Sequence, residues 1–198
     1  YLFTAEEKEA FLQKEPAAAP YFRRWLGADE FLNGWERWCL WLGDCPPEQL
    51  RKMPEALRRV EAVRQVRLLS KSAPTRKLAE TPTRFHVENM PTNNYLLIPS
   101  TSSERRVYIP IGFIQPETLS SNAAHIIPDA TLYHFGVLES EMHMAWMRAI
   151  CGRLESRYRY SKDIVYNNFP WPADPTDAKK KAVEGATQKV LDARAKFA

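Results

Sequence analysis

Pro99-Ser-Thr-Ser-Ser-Glu104-Arg105-Arg106-Val-Tyr-Ile-Pro110-Ile-Gly112-Phe113 sets a cluster of polar and charged groups against an apolar run. A Ser/Thr turn opens the stretch and a Glu-Arg-Arg triplet follows. The alternating β-branched and aromatic residues of 107–114 predict a strand. Hydrogen-bonding groups would then stand at the tip of a stiff support. Arg donates in a fork to guanine O6 and N7, and Glu accepts from cytosine N4, so both types suit base edges. A Glu104–Arg106 pair on the surface is the simpler account of the same residues, because such pairs are common and weak. On these residues alone the simpler account is preferred.

Around this stretch the sequence reads as short strands at 84–90, 95–98, 106–114 and 125–135. Pro91, Pro99, Pro110, Pro116 and Pro128 flank or interrupt them, which favours edges and bends over a flat sheet interior. Asn93-Asn94 predicts a turn. A helix is expected over about 140–156, with Met142, Trp146, Ile150 and Leu154 inward. Residues 163–172 predict a short strand ending in a proline-locked turn. A last helix, capped near Asp174 to Asp177, would hold Ala182, Ala186, Val190 and Phe197 near one face.

Towards the N-terminus, Thr4 with Glu7 three residues on forms a capping box for a helix over 1–15. Glu15-Pro-Ala-Ala-Ala-Pro20 breaks it. Four tryptophans follow within seventeen residues (25, 35, 38, 41), interleaved with Arg23, Arg24 and Arg37. Such a set would suit stacking on bases, but core is the reading for Trp38 and Trp41, on a strand ending near Gly43-Asp44. Pro46-Pro47 starts a helix that Pro54 restarts or kinks, running to about Leu69. The fold class predicted is α+β: helices flanking a small, proline-interrupted, mostly antiparallel sheet.

Charge is unevenly distributed. The 198 residues carry a net charge of +4, yet 51–77 hold nine Lys or Arg against Glu55 and Glu61, a local +7. Arg64, Arg67 and Lys71 are three and four apart and would share one stripe of the helix. Nine positives facing two negatives cannot be mostly internal pairing, so an external anion fits as well as a solvated face. Residues 70–77 read as a polar, basic linker. At 44% hydrophobic the chain is long enough for one sizeable core.

Several chemistries find no support. The seven glycines never form a G-x-G, and no phosphate-loop motif occurs. His86, His125, His134 and His143 lack metal spacing, and Glu139 with His143 would supply two ligands at most. Pro128-Asp129 has no following Glu-x-Lys of a nuclease, and no serine sits in a triad setting. No catalytic residue is assigned. Cys39, Cys45 and Cys151 form no CxxC pair, which fits a reducing cytoplasm. No apolar run would span a membrane. The chain starts at Tyr1 and stops mid-pattern at Phe197-Ala198, so it reads as a segment of a longer polypeptide.

Asp163-Ile-Val-Tyr-Asn-Asn168-Phe169-Pro170-Trp171 is similar to the Asn-Pro-Pro-aromatic loop of amino-methylating DNA methyltransferases, but Phe169 replaces the first Pro. A stand-alone methyltransferase using Asn168 to Trp171 is therefore an alternative, as is a protein-interaction scaffold. The structural reading of this loop is preferred.

Several segments together resemble one family: Glu15-Pro-Ala-Ala-Ala-Pro-Tyr-Phe-Arg23, Gly27-Ala-Asp-Glu-Phe-Leu-Asn-Gly34, Glu36-Arg-Trp-Cys-Leu-Trp-Leu-Gly-Asp-Cys-Pro-Pro47, Arg84-Phe-His-Val-Glu-Asn-Met-Pro91, Ser102-Ser-Glu-Arg-Arg106, and Tyr158-Arg-Tyr-Ser-Lys-Asp-Ile-Val-Tyr-Asn-Asn-Phe-Pro-Trp-Pro172. They look like the part that follows the catalytic domain in single-chain, type IIL (MmeI-type) restriction–modification adenine methyltransferases. The resemblance implies that 1–45 leave the methyltransferase, 46–172 form a target-recognition domain, and 173–198 begin a C-terminal helical region. It implies double-stranded DNA and the upstream methyltransferase domain as partners. S-adenosylmethionine and Mg²⁺ would serve the parent, with no cofactor or metal in this segment. It reweighs the opening stretch too: Glu104 and Arg106 become base readers, with Arg105, Asn93, Asn94 and His134 as further candidates. Arg64, Arg67, Lys71, Arg76, Lys77 and Arg84 are assigned to phosphates, which position a protein without specifying sequence.

Overall fold

The computed structural model describes residues 1–196; Phe197 and Ala198, and the terminal pattern read there, lie outside the described residues. The α+β expectation holds: helices accompany three small, mostly antiparallel sheets, with no closed barrel among the described residues. The chain divides into two compact units. One is Tyr1–Met90 with Glu117–Ser121; the other is Pro91–Pro116 with the chain from Asn122 onward.

In the first unit, β1 (Leu2–Phe3), β3 (Trp38–Leu40), β2 (Phe22–Leu26) and β7 (Leu119–Ser120) lie side by side in that order, with only the β2–β7 pair parallel. The predicted Thr4–Glu7 capping box starts α1 (Ala5–Lys14). A 3₁₀ turn over Pro16–Tyr21 and α2 (Ala28–Asn33) follow. Pro47 and Pro54 begin two separate helices, α3 (Pro47–Arg51) and α4 (Pro54–Leu68). Met53 has no side-chain oxygen to cap α4. Buried Glu15, forty residues earlier, accepts from Glu55 N and Ala56 N at 2.7 and 3.0 Å instead. A carboxylate at a helix N-terminus satisfies orphan donors and meets the favourable end of the dipole.

The tryptophans divide. Trp41 is buried, donates to Asp44 Oδ2 at 2.9 Å and stacks on Phe85. Trp38 is half-buried, with Lys8 Nζ 3.6 Å from its ring centroid.

In the second unit, β4 (Tyr95–Pro99) lies between β6 (Gly112–Ile114) and β8 (Ala124–Pro128). A separate sheet holds β5 (Thr101–Ser102), β10 (Arg157–Arg159) and β9 (Gly152–Leu154), with β10 central. α6 (Leu132–Leu138), α7 (Glu141–Ile150) and α8 (Asp177–Arg194) complete it. Leu96, Ile98, Ile111, Phe135 and Met147 anchor its core.

Five expectations are corrected. The strand over 107–114 is confined to Gly112–Ile114, because Pro110 has no N–H and neighbouring side chains take the backbone groups upstream of it. Residues 84–90 form turns, with one bridge between Asn89 and Ser120. The strand expected over 125–135 stops at Pro128. Asp129 turns the chain at φ 54°, and a Thr131–His134 capping box opens α6. The helix expected over 140–156 ends at Ile150 and gives way to the β9–β10 hairpin, which turns through Glu155 at φ 56°. Residues Lys162–Tyr166 form a wide π-type turn where a strand was expected.

Two helix faces differ as well. In α7, Met142 is 69% exposed while His143, Met144 and Met147 are buried. A polar residue can turn inward there because His143 Nε2 meets the Tyr160 hydroxyl at 3.1 Å. In α8, Thr187 is buried and Val183 half-buried, whereas Ala182, Ala186 and Val190 face out. Gly136 of α6 explains the choice: a Cβ there would collide with Thr187 Oγ1 and lie 2.6 Å from Val183 Cγ1.

Candidate nucleic-acid interface

In the first unit the basic window runs from the end of α3 through α4 to α5 (Ala73–Lys77), so residues expected to form a linker are partly helical. α4 ends at Leu68, which leaves Lys71 beyond it and breaks the expected three-residue stripe. Arg67 is engaged internally. Its guanidinium donates to Leu78 O at 2.8 Å, Thr81 O at 3.0 Å and Arg84 O at 2.7 Å. Arg76 donates to Ser70 O and Lys71 O, both at 2.9 Å. Arg84 pairs with Glu88 at 3.0 Å, and Arg64 lies 3.6 Å from Glu61. Lys71 and Lys77 are exposed, and their side chains have no hydrogen bond or ion pair to a described residue. Arg67 and Arg76 therefore hold turns together, whereas the charges of Lys71 and Lys77 face solvent.

In the second unit the loop joining β5 to β6 carries the Glu-Arg-Arg triplet. Ser103 shapes its tip: Ser103 O accepts from Arg106 N and Ser103 Oγ from Arg105 N, each at 3.2 Å. Glu104 is half-buried and both arginines are exposed. The surface pair does not form, and none of the three side chains has a partner among the described residues. The descending limb is held firmly. Ile109 and Ile111 are buried, and Ile109 N points at Met144 Sδ, 3.5 Å away. Arg148 of α7 donates to Val107 O at 2.9 Å. Arg194 of α8 donates to Ile111 O at 2.8 Å and pairs with Glu139 at 2.9 Å. Burial pushes the Glu139 carboxyl up, while Arg194 and a backbone hydrogen bond with Ile111 pull it down. The result is a tip of unengaged hydrogen-bonding groups on a braced stem.

The weaker base-reading candidates sit elsewhere. Asn93 and Asn94 precede Tyr95, whereas the 103–111 loop leaves beyond Pro99 and returns at Gly112 opposite Leu97. About 15 Å of strand separates the two groups. Asn93 Nδ2 donates to Asp129 Oδ1 at 2.8 Å, and His134 Nδ1 accepts from Thr131 N at 3.1 Å as part of the helix cap. Asn94 is exposed.

The methyltransferase-like loop is knitted into its own turn. Asn168 Nδ2 donates to Asp163 O at 2.7 Å and Ile164 O at 3.2 Å. Phe169 is buried edge-on against His143, with ring centroids 4.6 Å apart. Among the described residues no three His, Cys, Asp or Glu side chains converge to hold a metal, and no helix is long and apolar enough to cross a membrane.

The chain as a whole is similar to known proteins. A family model described as "MmeI, target recognition domain" matches residues 1–173. This chain belongs to the MmeI target recognition domain family. A solved structure of the type IIL restriction–modification enzyme MmeI in complex with DNA superposes with a TM-score of 0.96 at 49% identity, covering 99% of this chain and 26% of that one. DNA methyltransferase A of Bacillus subtilis (strain 168) is 40% identical over 193 residues. The match takes in 98% of this chain and 22% of that relative, so the chain spans under a quarter of its length. The α8 helix lies beyond the family match, and Arg194 carried no sequence signal that it braces a loop 83 residues upstream.

Proposed function

We propose that this chain selects the DNA sequence on which a type IIL restriction–modification adenine methyltransferase acts. The observation that carries the reading is the unengaged Glu104–Arg106 tip on a fold that superposes, at 0.96, on an enzyme solved with DNA bound. Glu104 and Arg106 read base edges in the major groove, with Arg105 beside them; an acid accepts from cytosine or adenine amines, and a guanidinium donates to guanine. Lys71 and Lys77 neutralise phosphates, and Arg64 can join them by leaving its long contact with Glu61. Arg67, Arg76 and Arg84 act on phosphate only through whatever donors their internal bonds leave. Asn94 is kept as a secondary base contact. Asn93 and His134 serve the local fold first.

Residues up to about 172 make up the recognition domain and 173–198 open a helical region. The family match ending at residue 173 and the start of α8 at Asp177 support that boundary. S-adenosylmethionine and Mg²⁺ act on other parts of the full-length protein. Mapping N6-methyladenine in the DNA of a host expressing that full-length protein tests the reading. Methylation confined to one short motif is expected. Methylation without sequence preference, or none, contradicts it.

A further inference from the structure

The β5–β10–β9 sheet presents one face to the core and one to solvent. Cross-strand partners share a face and neighbours alternate. With Tyr158 opposite Ser102 and Arg153, and Arg159 opposite Thr101 and Gly152, the register sorts the residues into two sets. Tyr158 and Ser102 are buried. The opposite face holds Thr101, Gly152, Leu154, Arg157 and Arg159, and none of these strand residues is acidic. The Arg159 side chain has no hydrogen bond or ion pair to a described residue. Arg157 meets only Glu155, at 3.0 Å, in the exposed turn of the hairpin, an arrangement that contributes little in water.

Two arginine side chains thus leave the strand two residues apart, about 7 Å along it, which is close to the spacing of successive phosphates on one DNA strand. Gly152 opposite Arg159 leaves the approach uncovered. The sheet is also continuous with the reading loop: β5 ends at Ser102, and Ser103 begins the turn that carries Glu104 to Arg106.

We propose that this solvent face is a phosphate-binding strip for duplex DNA, with Arg159 and Arg157 as its ligands, flanking the base-reading tip. The inference rests on the DNA-reading function above and adds a second, sequence-blind contact surface to the unit that carries the tip. The strip fixes the strand whose bases the tip reads, because phosphate contacts set register and orientation.

The test uses the 198-residue chain, a fluorescent duplex of random sequence and a salt titration. Each phosphate contact contributes about 0.9 to the slope of log affinity against log salt. Arg157→Gln with Arg159→Gln is expected to lower that slope by about two and to weaken binding several-fold on every duplex. The bases preferred in a selection from randomised duplexes should stay the same. Arg159→Lys, which keeps the charge and the fold, is expected to retain the slope. A wild-type chain that binds while the double variant shows an unchanged slope overturns the strip and leaves the reading intact. A shift in preferred bases overturns its sequence-blind role. Absence of binding by the wild-type chain overturns the DNA reading itself. Should the double variant fail to fold by thermal melt, Arg159→Gln alone is read: a slope lowered by about 0.9 supports the strip and an unchanged slope overturns it.

Discussion

Arg194 and Glu139 form an ion pair at 2.9 Å that also takes up the backbone of Ile111, whose carbonyl accepts from the same guanidinium at 2.8 Å. One pair of side chains from the end of α8 and the end of α6 thereby fixes the foot of the loop whose tip bears Glu104 and Arg106. Replacing Arg194 by Met leaves a nearly buried carboxylate without its ionic partner. A loss of about 1–3 kcal/mol is expected by urea unfolding, reduced from the fully buried range because the guanidinium is partly exposed. Adding Glu139→Gln should recover part of it, which a double-mutant cycle measures.

His143 makes stability depend on pH. Burial lowers its pKa from the ordinary histidine value to about 4, with Nδ1 unpartnered and Nε2 against Tyr160. The unfolded chain takes the proton near pH 6.5 and the folded chain only near pH 4. The stabilisation is complete above pH 6.5 and is lost as pH falls towards 4, by on the order of 3 kcal/mol. Unfolding free energies measured at pH 7 and pH 4.5 should differ less in His143→Phe than in the wild type.

Gly136 sets the contact of α6 with α8. Gly136→Ala drives a methyl into Thr187 and Val183, so a cost of about 1–3 kcal/mol is expected despite the better helix propensity of Ala. Thermal denaturation reads it directly. Gly185→Ala is the control, since nothing lies within 4 Å of a Cβ there.

Arg67 and Lys71 were equivalent as charges in the sequence and are not equivalent in the fold. Arg67→Met removes three hydrogen bonds to the carbonyls of Leu78, Thr81 and Arg84. Faster proteolysis within 78–84 is expected, with little change in the salt slope of DNA binding. Lys71→Met should do the reverse: unchanged proteolysis and a slope reduced by about 0.9.

What could be read from sequence was what local chemistry decides. Thr4 with Glu7, Pro47 and Pro54 at helix starts, and the apolar run from Tyr95 to Ile98 each declare themselves within a few residues. The strand expected over 107–111 failed because its backbone groups go to Arg148 and Arg194, 41 and 83 residues away. The inward face of α7 was misread because burying His143 requires Tyr160, 17 residues on. The sites divide in the same way. Residue type alone favoured a surface pair for Glu104 and Arg106; the family resemblance raised them to base readers, and they stand unengaged on their loop. The same reasoning ranked Arg67 and His134 as ligands, where distant or local partners occupy their polar atoms.

Selection of bound sequences from a randomised duplex pool, with the wild-type chain and with Glu104→Ala plus Arg106→Ala, tests the account most directly. The wild type is expected to recover a defined site. The double variant should lose preference at one position, by roughly 5- to 150-fold as 1–3 kcal/mol of base discrimination implies, and keep the others. Recovery of the same site with equal strength at every position would contradict the assignment of these two residues as the readers of sequence.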